Sequence, residues 1–234
     1  MTDGGEGEGR RRSRVVRALV LILAWAGLTA VLFAVGVGVT HSSPVNAFDR
    51  HVTSVVVAHR TPALNAVMKV VTWLGSWVAL VATGILLAFL AFRRCLPVVA
   101  VILGIVAWAG ESSGVTLAKN LVQRSRPPQD VRLVSAHGWS WPSGHTAVAI
   151  VVFTTLALVV AAIAESAAYR ALAWVLAVTA VLAVAFSRVE LGVHWTTDVA
   201  ASTVFVGAWL LILFALFASE VRSEHATPEL VDAA

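Results

Sequence analysis

Residues 139–164 read WSWPSGHTAVAIVVFTTLALVVAAIA. From Thr146 onward the run carries no charge, and it is about as long as an α-helix must be to cross the hydrocarbon core of a bilayer. A helix packed on a soluble core would keep one polar face, whereas this one is apolar all round. Yet it opens on Pro142-Ser143-Gly144-His145, a poor sequence with which to enter a membrane. The apolar run decides the fold class, and the four residues at its mouth pose the functional question.

The whole chain follows the same pattern. Of its 234 residues 59% are hydrophobic and only 13% charged, with a mean hydropathy of +0.85. Six apolar spans can be marked, at approximately 17–39, 68–92, 96–118, 144–164, 169–187 and 196–218. The expected fold is all-α, a six-transmembrane-helix bundle forming one domain over 17–218. Polar stretches 1–16 and 219–234 are expected to be disordered tails. The loop 40–67 has room at 46–59 for a short amphipathic helix lying on the outer surface as a cap. The first span is longer than the apolar core of a secretory signal and lacks a clear cleavage site, so it reads as a retained helix. Cys95 is the single cysteine, which excludes an internal disulfide. The net charge of +4 and pI near 10.2 do not point to nucleic acid, because the basic residues sit at helix ends and in short loops.

Those basic residues give an orientation. Arg10, Arg11, Arg12, Arg14 and Arg17 before the first span place the N-terminus in the cytoplasm, and six spans return the C-terminus to the same side. Arg93, Arg94 and Arg170 then also fall inside. The localisation expected is a cell membrane, spanned several times. One outer loop breaks the rule, since Lys119, Arg124, Arg126 and Arg132 cluster there. An anion to bind would account for cations on that side.

Three polar segments share this outer rim: KNLVQRSRP from Lys119, PSGH at 142–145, and SRVELGVHWTTD from Ser187. A phosphate monoester carries close to two negative charges, and Lys119, Arg126 and Arg188 supply positive ones. Pro142-Ser143-Gly144-His145 suits a helix N-terminus, where free N–H groups face an anion, Gly144 lets the backbone come close and the Ser143 hydroxyl adds a donor. His194 and Asp198 are four residues apart and share a helical face, so the carboxylate can fix the imidazole tautomer. His145 is a second histidine on another helix, and two histidines about one phosphate suggest a nucleophile and a general acid. Three cations beside them would repel a divalent metal, so no metal site is expected.

Lys119-x6-Arg126-Pro127, Pro142-Ser143-Gly144-His145 and Ser187-Arg188-x5-His194-x3-Asp198 together resemble the signature of the type 2 phosphatidic acid phosphatase superfamily. The resemblance covers about residues 17–218. It implies that His194 attacks phosphorus to form a phosphohistidine, that Asp198 orients it, and that His145 protonates the leaving group. It also implies that Lys119, Arg126, Ser143, Gly144 and Arg188 hold the phosphoryl oxygens, with no cofactor and no metal. The partners it implies are a lipid phosphate substrate and membrane lipids. Undecaprenyl pyrophosphate is the first expectation for the substrate. Phosphatidic acid, phosphatidylglycerol phosphate or transfer to another lipid are the alternatives. An anion transporter would hold its site nearer the midplane, and the vanadium haloperoxidases that share the motif are soluble.

The remaining polar residues have blander readings. Arg124 and Arg132 are expected to meet lipid headgroups or rim the pocket. Glu111 lies within the third span, with function and a hydrogen-bond network among Ser112, Ser113 and Thr116 weighing evenly. His51 and His59 belong to the cap, and His137 to a solvated or structural role. Trp139, Trp141 and Trp195 read first as interfacial anchors.

Overall fold

The computed structural model describes the backbone of residues 3–225 and the side chains of 15–217. Eight α-helices make up the described chain: α1 Asp3–His41, α2 Ser43–Ala58, α3 Pro62–Val71, α4 Trp77–Phe92, α5 Val98–Val122, α6 Gly144–Ile163, α7 Ala167–Glu190 and α8 Thr196–His225. No strand occurs among the described residues. The backbone of α1 takes in most of the stretch expected as an N-terminal tail. The side chains of that tail up to residue 14, and all of 226–234 in the other tail, lie outside the described residues.

Five helices are long and apolar enough to cross a membrane: Val15–His41 of α1, α5, α6, α7 and Thr196–Phe217 of α8. The second span differs from the single helix expected at 68–92. It is broken into α3, a 3₁₀ turn at Thr72–Gly75 and α4, bent by 45°. Hydropathy marks the segment as apolar but says nothing of its backbone path. At the break Gly75 packs so closely on the start of α6 that a Cβ there would stand 2.5 Å from the His145 carbonyl oxygen.

The faces turned away from the bundle carry large apolar side chains, with Leu23, Trp77, Val204 and Leu211 each about 70% exposed. In water such faces would be a liability, while in a bilayer they meet lipid. The main core joins Leu32, Val115, Trp141, Ile150, Phe205 and Trp209 from α1, α5, α6, α8 and the loop before α6. Tryptophans tie helices together through their indole N–H groups. Trp25 donates to Gly110 O at 2.9 Å, Trp209 to Ala107 O at 3.1 Å and Trp141 to Leu32 O at 3.2 Å. Each bond satisfies a donor that would be costly bare in hydrocarbon.

The short helix expected at 46–59 is α2, started by Pro44 behind the Ser42 N-cap. Its buried residues are Asp49 and Thr53, so the face it turns inward is polar. That choice has a partner in the site below.

Candidate functional site

Four short segments meet at one end of the bundle, and each is shaped by local chemistry. Helix α5 ends at Val122, with Gln123 in the left-handed region, and the chain then turns across the bundle. Lys119, one turn before that end, sends its ammonium into the next loop, to the carbonyls of Pro142 at 2.6 Å, Trp139 at 3.0 Å and Ser140 at 3.4 Å. An ammonium has three N–H donors, so these carbonyls occupy all of them.

Ser143 is the N-cap of α6 and fully buried. Its Oγ accepts from Thr146 Oγ1 at 3.0 Å and from Thr146 N at 3.5 Å, and its own N–H goes to Asp198 O at 3.2 Å. The N–H groups of Gly144 and His145 follow as the first of the helix, where the dipole favours an anion. A Cβ on Gly144 would meet nothing within 4 Å, so space is open there.

Ser187 and Arg188 lie in the last turn of α7, and the chain turns at Gly192, whose φ of 69° suits glycine. A Cβ there would collide with the Val131 carbonyl, against which Arg60 also donates at 2.8 Å. Arg60 and the buried Glu190, with 3.9 Å between Nε and Oε1, brace this turn. Arg188 is 5% exposed and donates to Thr72 Oγ1 at 2.5 Å across the break in the second span. Its Nε has no partner within the protein. Ser187 donates its hydroxyl to Val184 O at 2.6 Å.

His194 precedes α8 and lies at the centre. Its Nδ1 stands 3.3 Å from Asp198 Oδ2, and its Nε2 stands 3.0 Å from Arg126 Nη1. An arginine can only donate, so Nε2 is the acceptor and the Nδ1 proton points to Asp198. Asp198 also accepts from Trp195 N at 2.9 Å. Arg126 is held by the carbonyls of Val193 at 2.7 Å, Gly138 at 2.9 Å and His137 at 3.0 Å. Burial first, then the charges of Lys119, Arg188 and Arg126 and the His145 ring, hold His194 well below the usual imidazole range. It is therefore a free base at neutral pH.

All eight residues expected from the sequence come to this end. His194, Asp198 and Arg126 are in direct contact. Lys119, Arg188 and His145 bear on His194 electrostatically, and Ser143 and Gly144 open the helix beside them. Among the described residues no three His, Cys, Asp or Glu side chains are grouped as a metal site needs.

Several other expectations change. Arg124 does not meet headgroups. It is 3% exposed and lies between Asp49 and Asp198, with its Nη atoms at 2.7 Å from each carboxylate. The sequence carried no signal for this, because Asp49 is 75 residues away and belongs to the cap. Arg132 donates to Pro127 O at 2.7 Å and lines a cleft with Gln129 and His137. Trp141 is core, only 1% exposed, since its N–H reaches Leu32 O deep in the bundle, and Trp195 spends its own on Ser125 O at 2.8 Å. Trp139 is 38% exposed. Glu111 is 2% exposed with Oε2 unpartnered, while Ser113 bonds Ala109 O instead. Of the two readings weighed for Glu111, the hydrogen-bond network with its neighbouring hydroxyls is not formed. His137 is exposed and contributes only its carbonyl to Arg126.

Residues 94–222 match the PAP2 superfamily. The chain belongs to it. PAP2 members are phosphatases, and the match takes in all three polar segments. Among solved structures, this PAP2 protein is similar to a transmembrane PAP2 type phosphatidylglycerolphosphate phosphatase from Bacillus subtilis. The TM-score is 0.66 and the identity 25%, over 87% of this chain and 96% of the other. It shares its fold with LpxE of Aquifex aeolicus, with a TM-score of 0.53 and 23% identity over 70% of this chain and 93% of that one. No curated protein sequence matches it. It is a multi-pass membrane protein of the PAP2 phosphatase family, all-α in fold.

Proposed function

We propose that this chain hydrolyses a lipid phosphate or diphosphate through a phosphohistidine on His194, without a metal and on the extracytoplasmic side. The observation that carries the proposal is the Asp198–His194–Arg126 line, with Nδ1 tied to a carboxylate and Nε2 left as a base beside a guanidinium.

The chemistry follows from those contacts. Nε2 attacks phosphorus while the Arg126 N–H that now caps it passes to a phosphoryl oxygen. The P–O bond to the lipid breaks, and the leaving oxygen takes a proton from His145. The arriving phosphate brings the negative charge that an imidazolium at His145 needs among three cations. Water, giving its proton to His145, then cleaves the P–N bond and releases inorganic phosphate. Arg188, with donors unspent, the N–H groups of Gly144 and His145, and the Ser143 hydroxyl hold the oxygens. Lys119 has its N–H groups in the loop and acts on the phosphate through its charge. Phosphoryl transfer is mostly positioning and charge stabilisation, which this set supplies.

Undecaprenyl pyrophosphate is our first choice of substrate. Phosphatidylglycerol phosphate is the second, favoured by the name of the Bacillus subtilis neighbour. Both termini then lie in the cytoplasm, as the basic residues before the first span support. The test is phosphate release by purified protein, with chelator present, from a panel of these two lipids and phosphatidic acid. We expect release from at least one lipid and a fall of at least about 10³-fold in His194→Ala. Release that needs added metal, or an active His194→Ala, overturns the mechanism.

A further inference from the structure

We propose that Asp49 and Arg124 are positioning residues for the nucleophile, so that the cap helix α2 reaches the reaction through Asp198. This rests on the reading of His194 as nucleophile.

Arg124 lies behind Asp198, on the side away from His194. Its Nη1 donates to Asp198 Oδ1 at 2.7 Å and Thr197 Oγ1 at 2.8 Å, and its Nη2 to Asp49 Oδ2 at 2.7 Å and Asn46 Oδ1 at 3.1 Å. The rings of Trp195 and Trp141 flank the guanidinium, at 5.8 and 6.0 Å. Asp49 in turn accepts from Thr197 N at 3.0 Å and Thr197 Oγ1 at 2.5 Å, so α2 holds the residue next to Asp198 as well. Asp198 Oδ2 is left for His194 and Trp195 N. Both oxygens of the carboxylate are thereby directed.

Burying one guanidinium with two carboxylates is costly, and such a cluster is seldom worth more to stability than apolar residues of the same volume. What it supplies is geometry. A planar fork can bridge two carboxylates at fixed angles, which an ammonium cannot. It also sets the charge. Arg124, Lys119, Arg126 and Arg188 oppose Asp49 and Asp198, leaving about two positive charges for a phosphate that carries about two negative ones. Without Arg124, Asp198 would present an uncompensated charge to His194, which otherwise faces Lys119 on α5, His145 on α6, Arg188 on α7 and Arg126 in the α5–α6 loop.

Three variants separate positioning from mere scaffolding. Asp49→Asn is isosteric, Arg124→Lys keeps the charge but not the fork, and Arg124→Gln removes the charge. Asp49→Asn and Arg124→Lys should each lower kcat about 10- to 100-fold, as lost second-layer partners do, with KM changed less than about 3-fold. In an Asp198→Asn background, Arg124→Lys should cost less than about 3-fold, because its route to His194 is already cut. By ¹⁵N-histidine NMR in lipid nanodiscs, the His194 titration midpoint should rise by about one unit in Arg124→Gln. The same fold-loss in both backgrounds, or an unmoved midpoint, overturns the proposal. The NMR arm needs no turnover, so a wild type that releases no phosphate would sink the proposed function while leaving this inference decidable.

Discussion

Gly75→Ala is the sharpest probe of how the broken span serves the site. Gly75 closes the 3₁₀ turn between α3 and α4 and faces the first turn of α6. An alanine Cβ would stand 2.5 Å from His145 O, 2.7 Å from Val184 Cγ1 and 3.1 Å from His145 C. Ordinary contact begins at 3.4 Å, so the surfaces must part by about 0.9 Å. The obstacle is backbone, which cannot rotate aside as a side-chain tip would. Overpacking of this kind costs about 1–3 kcal/mol. The displacement falls between Thr72, which holds Arg188, and the peptide that carries His145. A shift near 1 Å in such a place lowers turnover about 10²-fold. Gly84→Ala is the control, since a Cβ there meets nothing within 4 Å on α4. We expect Gly75→Ala to melt several degrees lower in detergent and to lose about 10²-fold in kcat for phosphate release, with Gly84→Ala near wild type. A Gly75→Ala enzyme with wild-type kcat and melting temperature would refute the tight apposition of the broken span on His145.

Three further outcomes follow from the site. His194 is held below the usual imidazole range, so its neutral form, the one that attacks, persists as pH falls through about 6.5. The acid limb of kcat/KM should therefore lie below that value, and a limb at or above it would contradict the burial and charge that surround the ring. On the stability side the unfolded chain binds the proton more readily, so acidification below about pH 6.5 should also destabilise the fold. Lys119→Met should lower both melting temperature and activity, because three carbonyls of the loop before α6 lose their shared donor, at about 1–3 kcal/mol. Loss of activity at unchanged stability would mean that Lys119 serves the substrate alone.

The spans and the three polar segments were legible because each is a local property. Hydropathy is read within one stretch of chain, and a helical spacing of four puts His194 and Asp198 on one face without any tertiary information. The fold class and the gathering of Lys119, Arg126, His145, Arg188 and His194 at one rim could be expected on those grounds. The rim expectation needed only an even count of spans and the side on which each polar segment lies.

What local pattern could not carry was pairing between distant segments. Arg124 looked like one more rim cation until the fold brought Asp49 of α2 and Asp198 of α8 to either side of it. Trp141 looked like an anchor until α1 supplied Leu32 O as its partner. The second span looked continuous because apolar composition does not register a bend, and the 3₁₀ turn at Thr72–Gly75 closes on Gly75, where α6 and α7 leave room for backbone alone. Composition and spacing are sums over neighbours in the chain, and they specified which residues have chemistry to offer. Charge compensation and close packing are sums over neighbours in space, and only the tertiary structure decided which of those residues hold the others in place.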